Sequence, residues 1–506
     1  MVRTLARVVA VSGAWALVWV GPSGCSSKPA PVDDLDPMAA VKNEALDAKA
    51  RVAAVDRLAA GLSDAGLRRE SLKSVAWQTG APVPVRQRAV ELIAADTGPE
   101  AESDTRNMVR LMIPVEPNVA MVKVLAELAA ERGWSECTGP LIRSWSRVMG
   151  GGQDTDRPER AAIARLNPGV TVDRVLFTAF ATPATGEGRE LERNERTRTA
   201  AWGLLSREDA DGTRRREWLA AWPDSSDGLI NDLRAAASDL RAIPVTGSQL
   251  EWVRRLRGAN LGPEGDAKAA AAWWSEAKSA LARLSGEAAQ GLAIRHAEPV
   301  RWAAKFRPAW LGMDRSGLRS ELAGRLRGRT FYGRGGSDAE RLADVEGRLV
   351  WADVLALLVI DEALRTPGLV DALWQQSERD RRDTTTEYGG LIAPAGEGER
   401  FVAAVYPPRP TQRFGDTRFV ASDDLLRDGA RALAHYHFHS QKPDNRDYAG
   451  PGPGDAEYAR EHGAACVVFT PVGPGRLDAT YFHAGGVVLD LGEWAASAGA
   501  VSAAAK

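Results

Sequence analysis

From about Met38 to Arg241, apolar residues recur at i, i+3, i+4 and i+7, the period of amphipathic helices. Short breaks at Gly150-Gly151-Gly152 and Thr185-Gly186-Glu187-Gly188 separate these helices. A second helical stretch, from about Gly247 to Glu378, carries Trp252, Trp273, Trp274, Trp302, Trp310 and Trp351. Tryptophan buries a large area per residue, so these read as core residues of helix packing. Within it, Leu349 to Leu364 is interrupted by Asp353, Asp361 and Glu362 and reads as a buried amphipathic helix, not a membrane span. The run Glu378-Arg379-Asp380-Arg381-Arg382-Asp383 reads as a solvated face at a domain boundary. Beyond it the pattern predicts short strands at Gly390–Ile392, Phe401–Tyr406, Ala432–Phe438, Ala465–Phe469 and Val487–Leu489. Helices fit at Asp423–Ala430, with Ser422 as its cap, and at Asp455–His462. Strands alternating with helices predict a C-terminal α/β unit with a mixed sheet.

Several helices of the first half share an Arg followed by small apolar residues: Arg51-Val52-Ala53-Ala54-Val55, Arg86-Gln87-Arg88-Ala89-Val90 and Arg160-Ala161-Ala162-Ile163. This resembles HEAT-type repeats, in which each helical pair buries its apolar face against its neighbours. The spacing is irregular, and a non-repeating bundle fits the same pattern. A chain of 506 residues is too long for one ordinary compact domain. The expected fold class is therefore multidomain: a helical region over 38–245, a tryptophan-rich helical region over 246–378 and an α/β domain over 383–495. The Gly/Arg loop from Arg327 to Ser337 lacks the GxxxxGK[ST] pattern and is not read as phosphate-binding.

The N-terminus changes the picture. Arg3 and Arg7 precede a short apolar stretch, Val8 to Val20, as in a signal peptide. Pro22-Ser23-Gly24-Cys25 resembles the lipobox of bacterial lipoproteins, with Pro22 where leucine is usual. The resemblance implies a signal peptide over 1–25, lipidation of Cys25, a Ser/Pro/Asp-rich tether over 26–37 and a lipid-anchored protein facing the periplasm. The outer membrane is favoured over the inner, because Ser26 has none of the character of a retention signal. A net charge of −2 gives no overall pull toward nucleic acid. Without Cys25, only Cys137 and Cys466 remain, which excludes a disulfide framework and reads as two buried small residues.

Histidine placement points to chemistry. Six histidines occur and five lie between His435 and His483, three of them alternating in His435-Tyr436-His437-Phe438-His439. In a strand such residues face one way, and a His-x-His pair offers two nitrogens to a single zinc ion. The segment Gly450-Pro451-Gly452-Pro453-Gly454-Asp455 is a turn leading into a helix, where the Asp455 carboxylate is held at the helix start as a third ligand or serves only as its cap.

These elements resemble the JAMM (JAB/MPN) zinc metalloproteases. Glu387-Tyr388-Gly389-Gly390-Leu391-Ile392 is similar to the family's glutamate element, His437-Phe438-His439-Ser440 to its His-x-His element, and Gly452-Pro453-Gly454-Asp455 to its Ser-x-x-Asp element. The similarity covers Asp383 to Trp494. It implies zinc on His437, His439 and Asp455, with Glu387 as general base acting on a peptide or protein substrate. Two departures stand out. Gly452 replaces the serine whose hydroxyl helps stabilise the oxyanion, and a longer loop, Lys442 to Tyr448, is expected at the rim, where Asp444 or Asp447 offers a further ligand. His435 reads as a partner of the ligands, a packed residue or, in another class of metal hydrolase, a ligand itself. His462 and His483 read as structural or surface residues. The readings carried forward are a membrane-anchored zinc peptidase or isopeptidase and a non-catalytic binding module that works with the helical region as a protein-interaction scaffold.

Overall fold

The computed structural model describes residues 35–147, 154–209, 212–223, 227–259, 264–332, 341–396 and 398–504. The signal-like segment, Cys25 and residues 26–34 of the tether lie outside the described residues, as do the triple glycine at 150–152 and part of the Arg327–Ser337 loop. No described helix is long and apolar enough to cross a membrane.

The chain forms two compact units: the described residues through Met112 with Glu116–Leu125, and Ile113–Val115 with the residues from Ala126 onward. The first is helical, over Pro37–Lys42, Ala48–Gly61, Ala65–Ala76, Val83–Ala94 and Pro99–Met112. Asp36, Asp47 and Asp64 cap three of these helices by accepting a backbone N–H of the first turn. The arginines of the sequence pattern have a defined place here. Arg51 Nε donates to the Val41 carbonyl at 2.8 Å and Arg86 Nε to the Ala76 carbonyl at 2.9 Å, each ten residues back at the end of the preceding helix. Those carbonyls lack a partner within their own helix, so each buried guanidinium ties two helices together.

The second unit holds more helices and a mixed six-stranded sheet, β1 Gly389–Pro394, β2 Phe401–Val405, β3 Ala434–Phe438, β4 Ala465–Gly473, β5 Arg476–His483 and β6 Val488–Ala495. Strand order is β2-β1-β3-β4-β5-β6; β3 and β4 run parallel and the other neighbours antiparallel. β5 was not foreseen. Its Asp478 and Thr480 interrupt the apolar pattern, yet every residue from Leu477 to His483 is buried. The helices at Asp423–Asp428, capped by Ser422, and at Pro453–His462 lie close to their expected places. The tryptophan-rich segment and the sheet share one continuous core, in which Trp302, Trp351, Ile392, Tyr436, Phe438, Phe469 and Leu489 all take part. Cys137 and Cys466 are buried thiols.

Two expectations are corrected. The Trp351–Leu364 helix is not amphipathic; every residue but Glu362 is buried, and it runs through the core. Its two buried carboxylates are satisfied by donors from surrounding elements. Asp361 meets Arg325, Arg329 and Arg365. Asp353 accepts from Arg295 at 2.8 Å, His296 Nε2 at 2.9 Å and the Val350 N–H at 3.1 Å. Likewise the charge run is not simply a solvated face, for Glu378 and Asp380 are buried in the last turns of the Leu369–Arg382 helix.

His483, at the end of β5, stands 3.7 Å from Asp353. Both His296 and His483 accept a backbone N–H at Nδ1, from Ala293 and Gly485, so in the neutral rings the proton sits on Nε2 and faces the carboxylate. Burial alone would raise the Asp353 carboxyl. The His296 hydrogen bond and the nearby positive charge of Arg295 outweigh it and hold the pKa well below the usual carboxylate range. A depressed folded-state pKa contributes stability that is full above the unfolded value, about 3.9, and is lost as pH falls further. Replacing Asp353 by Asn leaves the half-buried Arg295 without its counter-charge and is expected to cost up to about 3–5 kcal/mol at pH 7. Urea unfolding of the two proteins should show this, with the gap narrowing under acid conditions.

Candidate metal centre

β3 carries the histidines because its residues alternate between two packed faces. Tyr436 and Phe438 enter the core, and His435, His437 and His439 are presented to the other side. The chain then leaves β3, forms the loop and turn through Gly452 and returns as the Pro453–His462 helix before entering β4. Asp455 lies in the first turn of that helix and fills the capping role weighed from the sequence. Its Oδ2 accepts the Gly452 N–H at 2.6 Å, closing the helix start, and the same carboxylate meets the histidines. His437 Nε2 is 3.0 Å from Asp455 Oδ1, His439 Nε2 is 3.3 Å from Oδ2, and the two Nε2 atoms are 3.3 Å apart.

Among the described residues this is the one group of three or more metal-ligating side chains whose donors converge. Its spacing fits the expected ion: bonds of roughly 2.0–2.1 Å in tetrahedral coordination separate neighbouring ligands by about 3.3 Å. The tautomer fits as well. His439 Nδ1 is 3.0 Å from the Tyr448 carbonyl, which can only accept, so Nδ1 carries the proton and the Nε2 lone pair is left for a cation. Burial disfavours a charged His439, but the hydrogen bond and charge of Asp455, and then Glu387, raise its pKa. Burial would raise Asp455 too, yet His437 and His439 hold it well below the usual carboxylate range, ionised as a ligand must be.

Glu387 lies just before β1, buried, and lines the same cleft of ≈ 620 Å³ as His439 and Asp455. Burial pushes its pKa up against the opposing charges of His437 and His439. A side-chain relay fixes it: Asn445 Nδ2 donates to Gln441 Oε1 at 2.8 Å, and Gln441 Nε2 donates to Glu387 Oε1 at 3.1 Å and to the Asp416 carbonyl at 2.6 Å. Neither amide was singled out in the sequence. Gln441 follows the His-x-His-Ser element directly, which is the one available signal; Asn445 lies in the Lys442–Tyr448 loop and offers none. That loop is therefore part of the site, supplying Asn445 and the Tyr448 carbonyl. Asp444 is turned to Arg446 at 2.7 Å, Asp447 is exposed, and neither joins the donor trio.

His435 is not one of the converging donors. Its Nδ1 is 2.8 Å from the Tyr458 hydroxyl, one helical turn beyond Asp455, so it ties the crossover helix to β3. Burial lowers its pKa to about 3, leaving it neutral. His462 bonds Ser248 through Nδ1 at 2.7 Å. Phe419, also unforeseen, stacks on His437 with ring centroids 5.3 Å apart and planes 13° from parallel.

The glycines after Glu387 make this packing feasible. A Cβ on Gly389 would lie 2.3 Å from the Phe419 ring and 2.6 Å from the Tyr436 carbonyl, and one on Gly390 would lie 2.0 Å from the Ala404 carbonyl. Gly389→Ala is expected to displace Phe419 from His437 and weaken metal retention about 10–100-fold, the usual cost of disturbing a ligand's support. Competition with a chromophoric chelator measures it. No family model, curated protein or solved structure matches this chain.

Proposed function

We propose that the chain is a zinc-dependent peptidase or isopeptidase of JAMM type, whose Cys25 anchors it by lipid to the envelope. The observation that carries this reading is the convergence of His437, His439 and Asp455 at 3.0–3.3 Å, with the buried Glu387 lining the same cleft as His439 and Asp455. A bound zinc ion supplies polarisation of a scissile carbonyl and lowers the pKa of water toward 7. Glu387 takes the proton from the attacking water on the carboxylate oxygen not held by Gln441 and returns it to the leaving amine. Burial raises its pKa, which helps it hold the proton between the two transfers. Gln441 and Asn445 orient that carboxylate. The mouth of the cleft, formed by the Lys442–Tyr448 loop and the start of the Pro453–His462 helix, would receive an extended peptide.

One observation favours the second reading, a non-catalytic binding module that works with the helical region as a protein-interaction scaffold. The Gly452 N–H is taken by Asp455, so it does not supply the donor lost with the family's serine. Losing one oxyanion donor costs about 2.7–4 kcal/mol of transition-state stabilisation, which slows an enzyme without abolishing it.

The test begins with elemental analysis of the protein lacking its lipid anchor. About one zinc per chain is expected, lost in the His437→Ala/His439→Ala double variant. Peptide and isopeptide panels should then show hydrolysis in the wild type, and Glu387→Gln should keep the zinc and lose about 10²–10⁴-fold in kcat. Zinc without hydrolysis would leave the binding module, and a folded protein with no zinc would sink the peptidase reading and leave a scaffold.

A further inference from the structure

The Leu369–Arg382 helix packs against the sheet from the face opposite the histidines, and three polar residues of its last turns bond to immediate neighbours of three site residues. Gln376 Oε1 accepts from the Tyr436 hydroxyl, between His435 and His437, and Gln376 Nε2 donates to the Ala403 carbonyl at 3.0 Å. Ser377 Oγ is 2.8 Å from Ser440 Oγ, next to His439. Asp380 accepts the N–H of Tyr388, next to Glu387. Gln376, Ser377 and Asp380 share one helix face with Leu369 and Leu373, and all five are buried.

Asp380 is the costly member of this seam. Only 1% of it is exposed, no ion pair to it is found among the described residues, and its Oδ2 has no hydrogen-bond partner. A buried carboxyl with one oxygen unsatisfied weakens a fold, so packing alone would favour an apolar residue there. Functional sites are where such costs are retained.

We propose that Asp380 is a positioning residue for the general base, fixing the backbone at Tyr388 and thereby the carboxyl of Glu387 from behind the sheet, with Gln376 and Ser377 doing the same for the histidine strand. This rests on the reading of Glu387 as the base. Burial, with the charges of Glu387 and Asp416 close by, pushes the Asp380 pKa up to about 8. The group is thus mostly neutral at pH 7, and asparagine is its neutral mimic.

The experiment compares Asp380→Asn and Asp380→Leu in the full chain by zinc content, thermal unfolding, amide exchange at Tyr388, and kcat and KM on a peptide the wild type hydrolyses. The Asn variant should match the wild type within about threefold in kcat, since an acceptor for the Tyr388 N–H remains. The Leu variant should keep its zinc, unfold at the same temperature or higher, and lose Tyr388 exchange protection about tenfold. Its KM should stay unchanged while kcat falls about 10²-fold, the order expected when a reacting group is misplaced by about 1 Å. A Leu variant with wild-type exchange at Tyr388 or wild-type kcat overturns the proposal, and so does one that fails to fold, since the carboxyl would then serve the fold. If asparagine is as damaging as leucine, the ionisable group itself is required and positioning is the wrong role. A wild type that holds zinc but hydrolyses nothing refutes the peptidase reading alone, because exchange at Tyr388 still decides whether Asp380 fixes that backbone.

Discussion

The parallel pairing of β3 with β4 is the constraint on which the site depends. Parallel neighbours cannot be joined by a tight turn; the chain must travel back over the sheet, and here it does so with the Pro453–His462 helix. That helix starts beyond the end of β3 that bears His437 and His439, with its first turn above them. A carboxylate in a first turn is favoured by the exposed N–H groups there, and Asp455 both closes that end and bridges the two imidazoles. The topology thus brings an anion to the place where the strand's alternation has put two imidazoles. His435, farther back on the same face, bonds Tyr458 and holds the helix in that register.

Two histidine–aspartate groups in the second unit show how hydrogen bonds to Nδ1 decide what Nε2 can do. At His296 and His483, Nδ1 accepts a backbone N–H, so each Nε2 bears the proton and faces the Asp353 carboxylate. That arrangement locks the core and offers no lone pair. At His439 the Nδ1 partner is a carbonyl, the proton moves to Nδ1, and Nε2 is left for a cation. Residue types alone would not separate the two groups; the backbone partner does.

The alternation of three histidines in a histidine-poor chain made β3 and its histidine-bearing face legible, and the turn before Asp455 made the crossover helix legible. β5 was hidden because its Asp478 and Thr480 look polar, whereas in the buried strand Thr480 Oγ1 donates to Asp478 Oδ2 at 3.0 Å. Asp380 was misread as part of a charged surface, although the spacing Leu369, Leu373, Gln376, Asp380 already placed it on the buried stripe. Gln441, Asn445 and Phe419 could not be found from periodicity, since loop side chains are positioned by contacts distant in sequence. Nor does the pattern reveal that the tryptophan-rich helices and the sheet share one core, because amphipathic helices look alike whether they bury against helices or against strands.

Three carboxyl groups around one site end in three different states, and the differences come from placement. Asp455, between two imidazoles, is held ionised well below the usual range. Glu387 is buried beside the same imidazoles but held by an amide, so burial wins and its pKa rises. Asp380 is buried beside Glu387 and Asp416; burial and their charges outweigh the Tyr388 N–H and the Ser440 hydroxyl, and its pKa rises to about 8. On the proposed reading, separating pKa values in this way would let one chemical group serve as ligand, proton carrier and neutral hydrogen-bond acceptor at one pH.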